Sequence, residues 1–395
     1  MMDAGIRGFN EVKGAFVKSW TIILNYMLQS VVLAGDNDFY GWSDEGILLK
    51  CMKNTKLNTI TILQYYGNNI KYFVFVKPTD LLVVTINEKN VLQVWDVSTG
   101  KFRCEMELNG IATNVCSNPR YYYVAVSFKN GKVELLKTDP NESDVELISK
   151  MVLCDEELSC VNFFSDGKEC LATNFSTGRL YHIRIELEKT CSIIKEYHLK
   201  KEIIDAKIFD DKQSSLLTIL YREHEEISEV AGNNVVIFNK NFDIVFKLLN
   251  TQHNYTSIFK WISFDIPGTI NIALTVLKSF HIHLMTINIV EEKVLRSKII
   301  PLDHDVRVIK ISSWKKHCIT FCNDGTYNVY EFTDDDQWKK IIRVNCSHWQ
   351  TGGLMAAEID SSYRNILTLS REGNLMCTSF KYISPKVKKI NKILE

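Results

Sequence analysis

Short runs in which apolar and polar positions alternate, or apolar positions stand side by side, follow one another along almost the whole chain. Gly, Asn, Asp and Ser punctuate them. In VLQVWDVSTGK (91–101) the pattern passes from Val91 to Trp95 and closes at Asp96 and Ser98-Thr99-Gly100. A period of two bounded by turn residues predicts a β-strand and the turn that follows it. The period of roughly 3.6 residues that marks a helix has room only in the first and last stretches of the chain.

Four turns share nearly the same setting. Asn130-Gly131 stands between YYYVAVS and KVELL, Thr177-Gly178 between CLATN and RLYHIRI, Asp324-Gly325 between HCITFC and TYNVYEF, and Glu372-Gly373 between NILTLS and NLMCTSF. A Gly-containing turn between two strand-like runs is a strong hairpin signal. Degenerate versions fill the gaps: Glu45-Gly46 before ILLKC, Lys89-Asn90 before VLQVWDV, Gly232-Asn233 before NVVIFN and Lys278-Ser279 before FHIHLMTI. These hairpins recur at about 42 to 54 residues, the repeat length of a four-stranded propeller blade. Each follows an apolar run that fits an innermost strand, such as NIKYFVFV or GIATNVC, and all but the last precede a more polar fourth strand such as KFRCEMEL.

The predicted fold class is therefore all-β, a WD40-type β-propeller of seven or eight four-stranded blades, with eight favoured. Trp95-Asp96 is the best-kept copy of the repeat signature. The last repeat stops after its third strand, while FVKSWTIIL (16–24) precedes the first, so 16–24 is expected to close the ring as the missing strand. The domain boundaries that follow are an N-terminal extension at 1–15, the propeller at 16–382 and a basic tail at 383–395. The apolar run 19–35 contains Asn25 and Gln29, which are costly in hydrocarbon, and reads as two strands rather than a membrane span.

Composition narrows the function classes. The chain has 395 residues, 46% hydrophobic and 24% charged, a globular balance with enough apolar side chain for a large core. Lys+Arg and Asp+Glu both number 47, so no net field draws it to nucleic acid or an anionic membrane, and neither is expected as a partner. The 11 Cys are scattered without a CxxC pair, which predicts buried thiols in a reducing compartment rather than a disulfide framework. Residues 1–14 carry Asp3, Arg7, Glu11 and Lys13 and lack the apolar core of a secretory signal, so a soluble intracellular protein is expected.

Candidate chemistry is sparse. His281 and His283 share one face of a third strand, but a zinc site needs two further ligands and none stands near in sequence. Cys318 and Cys322 also share a face and read as core. The stretch 36–41 begins like a calcium loop and fails at Tyr40. The acidic insertion 222–233, the triplet Asp334-Asp335-Asp336 and the basic stretch 385–392 read as solvated surface, with 222–233 also suited to a partner contact. Phosphate-binding loop, nucleophile elbow, HExxH and dinucleotide motifs do not occur, so no catalytic, cofactor or metal residue is assigned and no enzyme is predicted. Trp95 is expected to pack between neighbouring blades and Asp96 to cap a turn.

Two segments carry a more specific likeness. MELNGIATNVCSNPRYYYVAVSFKNGKVELL (106–136) resembles a blade of the second propeller in the cilia- and flagella-associated protein 43 family of axonemal WD-repeat proteins, through Leu108-Asn109, Ala112-Thr113, Pro119, Ala125-Val126 and Gly131. CSHWQTGGLMAAEIDSSYRNILTLSREGNLMCTSFK (346–381) is similar to the last blade of that propeller, through Ser347, Gly352-Gly353 and the run from Arg371-Glu372-Gly373 to Cys377. DFYGWSDEGILL (38–49) resembles the family more weakly, and the likeness is thin over 203–300. Family members are far longer, with an earlier propeller and a coiled coil that this chain lacks.

The resemblance implies a component of the complex that tethers an inner-arm dynein head to the doublet microtubule. It implies a place in the cytoplasm, cytoskeleton and axoneme of cilia or sperm flagella, with the dynein tether complex and microtubule-associated proteins as partners. The repeat by itself predicts a non-enzymatic scaffold whose rims hold several partners, anchored by a few aromatic or Arg side chains. Arg120 and Tyr121 in the NPRYYY turn, and Trp338, are the candidate partner-binding residues. The alternatives are a WD-repeat scaffold of another intracellular complex and a propeller enzyme with a site at the central channel.

Overall fold

Every regular element among the described residues is a β-strand. The computed structural model describes residues 15–22, 28–34, 38–43, 47–53, 58–65, 69–77, 79–97, 99–186, 190–210, 215–222, 233–249, 255–260, 268–276, 281–302, 307–314, 317–332, 338–345, 353–359, 365–373 and 375–382. The strands form eight four-stranded antiparallel sheets distributed over two compact units.

One unit, residues 63–260 and 266–302, holds five sheets in which chain order and strand order agree. They are β6(Ile70–Val76) to β9(Phe102–Glu107), β10(Ala112–Ser117) to β13(Glu146–Val152), β14(Cys160–Phe163) to β17(Cys191–His198), β18(Ile203–Asp210) to β21(Ile244–Leu248), and β22(Tyr255–Lys260) to β25(Lys293–Pro301). The other unit, residues 1–62, 261–265 and 303–395, holds β2(Leu28–Ala34) to β5(Asn58–Tyr65), β26(Val308–Trp314) to β29(Trp338–Asn345), and a sheet of different origin. In that sheet β30(Leu354–Ile359), β31(Asn365–Ser370) and β32(Leu375–Tyr382) are joined by β1(Ala15–Ile22), which pairs antiparallel with β32 from Ala15↔Tyr382 to Ile22↔Leu375. The apolar run 19–35 thus divides between β1 and β2, which belong to different sheets.

The hairpin turns lie where the sequence places them. Gly131, Gly178, Gly325 and Gly373 all have positive φ, and Asn90 takes the same left-handed conformation at φ 59° in the degenerate turn before β8(Val91–Asp96). The turns at Glu45-Gly46 and Lys278-Ser279 lie outside the described residues, as do 36–37, most of the acidic insertion, Asp334-Asp335-Asp336 and residues 385–392.

Burial follows strand order. The second and third strands, such as β7(Leu82–Asn87) and β8, are buried along nearly their whole length, whereas β9 and β17 alternate with solvent. Both faces of the middle strands are covered, so apolar side chains stand next to each other instead of alternating. Even Gln93, the polar member of the VLQVW run, is buried. The cores lie between successive sheets: Leu82, Val84, Leu92 and Val94 pack with Val124, Val126, Phe128 and Leu136. Ala125, Val133 and Leu135 in turn pack with Cys170, Ala172 and Tyr181. A sheet therefore supplies one face to each neighbour.

Two devices recur that periodicity does not reveal. The first strand of seven sheets carries a bulge one residue from its start, as between Ala112 and Asn114 or Tyr255 and Ser257, and such a bulge sharpens the local twist. A hydroxyl also stands buried in each second strand, at Ser43, Thr85, Ser127, Thr173, Thr218, Thr275, Thr320 and Thr368. Several bond within their own sheet. Ser127 Oγ lies 3.0 Å from Thr113 Oγ1, Thr173 Oγ1 2.8 Å from Cys160 Sγ, and Thr275 Oγ1 3.2 Å from Thr256 Oγ1.

Trp95 uses the same hydroxyl position. Its indole Nε1 donates to Thr85 Oγ1 at 3.1 Å, and its ring meets the edge of Phe102 at 5.0 Å. Both partners belong to its own sheet, so the indole ties the second, third and fourth strands together. The Nε1–H of a buried indole needs an acceptor, and Thr85 supplies one within the sheet. Asp96 caps the next turn, its Oδ1 accepting from Thr99 N at 2.9 Å. A double-mutant cycle with Trp95→Phe and Thr85→Val is expected to give a coupling of about 1 kcal/mol in denaturant unfolding, the worth of one buried hydrogen bond. Additive effects would remove that bond from the account of the sheet.

Candidate docking surface

The turns between first and second strands in the larger unit interlock from sheet to sheet. Lys77 N, in the turn after β6, donates to Ser117 Oγ at 2.9 Å. Asn118, fully buried, donates through Nδ2 to Gly167 O in the next such turn at 2.6 Å. Its Oδ1 accepts from the backbone N of Arg120 and Tyr121 at 2.9 and 3.0 Å, an Asx turn that sets the NPRYYY backbone. Arg120 Nε donates to Ser165 O at 3.0 Å. Gly167 is required here: at φ 68°, an added Cβ would meet Asn118 Oδ1 at 2.4 Å and Arg120 Cβ at 2.9 Å.

This ledge leaves Leu81 and Tyr121 exposed, at 47% and 41%, together with Pro119 and Arg120. Tyr121 leans on Tyr123 with ring centroids 6.0 Å apart. Of the predicted partner-binding residues, Arg120 and Tyr121 therefore share one turn, and Arg120 has a backbone contact that orients it. Trp338 opens β29 in the other unit, and its side chain lies outside the described residues.

The ledge is locked to a further sheet by charges that the sequence did not single out. Lys240, in the turn between β20(Asn233–Asn239) and β21, reaches back to Asp166 Oδ2 at 2.5 Å and Glu169 Oε2 at 2.9 Å. Its Nζ also lies 4.8 Å from the centre of the Phe164 ring. Glu169 accepts from His182 Nε2 at 3.0 Å, and His182 is buried between Phe164 and Phe242. Among the described residues Nδ1 of His182 has no hydrogen-bond partner, so the ring meets the carboxylate through Nε2 alone. Phe242 takes a left-handed backbone at φ 56°, a strained conformation offset by burial of its ring.

The ionisation of these groups follows from their contacts. Burial opposes the charge on Glu169, but the bonds from Lys240 and His182 outweigh it and hold its pKa below the usual range. Asp166 is lowered in the same way: burial opposes ionisation, while Lys240 and the Lys168 backbone favour it. Burial would lower Lys240, yet its bonds to Asp166 and Glu169 raise it.

His281 and His283 do not form a metal pair. Tyr255 OH lies 2.7 Å from His283 Nδ1, and Ser297 Oγ lies 2.6 Å from Nε2, so both ring nitrogens are engaged. Burial pushes the Tyr255 phenol up to about 12, so it keeps its proton. Among the described residues no three His, Cys, Asp or Glu side chains gather as metal ligands would. Cys318 and Cys322 are fully buried, and burial pushes both thiols up to about 12. A cavity of about 10 Å³ beside Cys170 and Cys191 is apolar and no larger than a water molecule.

The likeness to solved structures bears on the fold. The chain is similar to Sqt1 of Saccharomyces cerevisiae, with a TM-score of 0.65, 11% identity and coverage of 89% of this chain and 95% of that one. It is similar to the C-terminal WD40 domain of Sif2, with a TM-score of 0.65, 11% identity and coverage of 91% and 98%. It is also similar to BamB of Moraxella catarrhalis, with a TM-score of 0.61, 12% identity and coverage of 92% and 100%. No protein-family model and no curated relative matches the chain. The fold is an all-β propeller built from four-stranded blades, similar to the WD40 domain of Sif2.

The clasp gives a testable pH window. Lowered carboxyl pKa values contribute stability above the ordinary carboxylate range of about 4, and that contribution is lost as pH falls through the folded values. The raised Lys240 contributes below about pH 10.4 and loses its share as pH rises through its folded value. Lys240→Met is expected to cost about 1–3 kcal/mol near neutral pH, with the half-exposed Asp166 adding less than Glu169 because water screens it. It should also flatten the acid loss of stability in denaturant titrations from about pH 7 to about pH 3. An unchanged acid slope would show that the clasp is not what titrates.

Proposed function

We propose that this chain is a non-enzymatic docking platform that holds protein partners on the ledge built by the first-to-second-strand turns. The observation that carries this is the ledge itself: exposed Leu81, Pro119 and Tyr121 are presented on a backbone fixed by Asn118, Gly167 and Ser165. A rigid aromatic anchor on a pre-set turn binds without an ordering cost, which is the property of interface hot spots. Arg120 and Tyr121 are the anchors in this proposal, with Trp338 as a third on a separate sheet.

In the fuller form of the proposal the eight four-stranded sheets are the blades of one propeller, with β1 as its closing strand. The pairing of β1 with β32, and the placement of β2 against β30 and β31, support it. Removal of residues 1–24 would bare the edge of β32, so it is expected to lower the thermal midpoint and promote self-association. An unchanged midpoint would deny β1 that role.

The partners proposed are those of the axonemal dynein tether complex and its microtubule-associated proteins, in the cytoplasm and the axoneme of cilia or sperm flagella. The support is the resemblance of 106–136 and 346–381 to the cilia- and flagella-associated protein 43 family. The ledge turn at Asn118 to Tyr123 falls inside the first of these segments.

The test combines localisation and binding. The tagged full chain is expected to concentrate on axonemes in ciliated cells and to co-sediment with the tether complex. Tyr121→Ala with Arg120→Ala should weaken that co-sedimentation several-fold while leaving the thermal midpoint in place. Equal abundance in cells without cilia would sink the axonemal assignment, and undiminished binding by the double variant would remove the ledge.

A further inference from the structure

Arg120 and Lys168 stand on two turns that touch. A Cβ built on Gly167 would lie 2.9 Å from Arg120 Cβ and 3.1 Å from Tyr121 Cδ2, and Lys168 follows Gly167 directly. Both cations are exposed, and among the described residues neither forms an ion pair. Of the Arg120 guanidinium donors, Nε alone has a partner among the described residues, Ser165 O at 3.0 Å. Lys168 is held by its backbone N, which donates to Asp166 Oδ1 at 2.9 Å, and its ammonium has no partner among those residues.

The carboxylates around these turns are engaged elsewhere. Asp80 meets Lys77 at 2.6 Å and Asp166 meets Lys240 at 2.5 Å. Glu169 meets Lys240 at 2.9 Å and Arg184 at 3.5 Å. Lys77, Arg120, Lys168, Arg184 and Lys240 thus stand against Asp80, Asp166 and Glu169, and the cations left over are Arg120 and Lys168. Tyr121 adds an apolar part: its ring is 41% exposed and leans on Tyr123, and Pro119 lies exposed two residues before it. Its hydroxyl has no hydrogen-bond partner among the described residues. A guanidinium fixed through Nε keeps its Nη groups for a planar acceptor, and fixing it in advance removes part of the entropy cost of binding. A continuous run of phosphates would also meet Asp166, which stays 40% exposed next to Lys168, whereas a single carboxylate need not.

We propose that Arg120 and Lys168 on the ledge hold a protein segment that carries a Glu or Asp beside an aromatic residue. The carboxylate lies between the two cations, and the aromatic ring packs on Tyr121 and Pro119. The proposal rests on the ledge being a partner surface and adds the chemistry of what that surface takes. It also makes Lys168 a residue of the surface.

The experiment uses the full chain and a short fluorescein-labelled peptide of alternating Phe and Glu, read by fluorescence anisotropy. Saturable binding is expected, weakening as NaCl is raised because the ion pairs are exposed. Arg120→Gln with Lys168→Gln should weaken it roughly fivefold, two exposed ion pairs being lost, with the thermal midpoint unchanged. Arg120→Glu with Lys168→Glu should instead bind a Phe/Lys peptide that the unaltered chain does not bind, a swap that a merely structural role would not produce. A Ser/Glu peptide, which lacks the ring, should bind more weakly than Phe/Glu. Absence of saturable binding, equal binding by the Gln variant, or failure of the Glu variant to turn to the Phe/Lys peptide would each overturn the proposal. Co-sedimentation lost on Tyr121→Ala with Arg120→Ala, with no peptide bound, would overturn this chemistry and leave the docking ledge standing. Peptide bound through Arg120 and Lys168, with co-sedimentation unchanged, would keep this site and remove the axonemal partners.

Discussion

A four-stranded sheet whose middle strands are apolar on both faces cannot stand alone in water, and the structure depends on that constraint. Val84, Leu92, Val124 and Leu180 have no exposure, and each is covered by a neighbouring sheet rather than by a helix or loop. Burial of one such side chain is worth about 1.5–3 kcal/mol, so the interface between successive sheets dominates stability. Repetition is the solution: within each unit, successive sheets cover one another. The fourth strand, at the periphery, is freed from this duty and keeps polar residues.

Covering both faces raises a second problem, since polar groups trapped between sheets must find partners. The second-strand hydroxyls of Thr85, Ser127, Thr173 and Thr275 meet it inside the sheet, through Trp95, Thr113, Cys160 and Thr256. Side chains from the strand ends meet it between sheets. Asn118 bonds Gly167, and Asp205 Oδ2 accepts from Ile258 N at 2.9 Å. The Lys240 clasp is the charged version of the same solution, with Glu169 shared between an ammonium and an imidazole. These links make the turns at one end of the larger unit stiff, and stiffness turns a row of exposed side chains into a surface a partner can recognise.

Much of the candidate site was legible in part. The NPRYYY turn stood out because three aromatics follow a Pro between two strands, and Arg120 and Tyr121 do lie exposed on one turn. That Asn118 fixes the turn by bonding a residue 49 positions away was not legible, because contacts between sheets leave no local period. Asp166, Glu169, His182 and Lys240 were missed for the same reason: they come from three separate stretches that no local period links. The buried hydroxyls left a signal that could have been used. Thr173 in CLATN, Thr320 in CITFC and Thr368 in ILTLS occupy matching positions ahead of the hairpin turn. His283 shows the opposite case: with His281 it makes a pattern that invites metal chemistry, yet its own ring is taken up by hydrogen bonds to Tyr255 and Ser297.

Local chemistry in the chain alone determined that the elements are strands, that Gly131, Gly178, Gly325 and Gly373 turn between them, and that the unit repeats. These follow from the period of two and from the left-handed backbone that Gly adopts without a clash. Tertiary structure alone decided what the residues of each strand face. VLQVW alternates on paper, yet Gln93 is buried along with Leu92 and Val94. That the Trp95 indole finds its acceptor in Thr85 is set by the pairing of β7 with β8. The register in which β1 joins β32, from Ala15↔Tyr382 to Ile22↔Leu375, is likewise a tertiary matter, because β1 starts more than three hundred residues away.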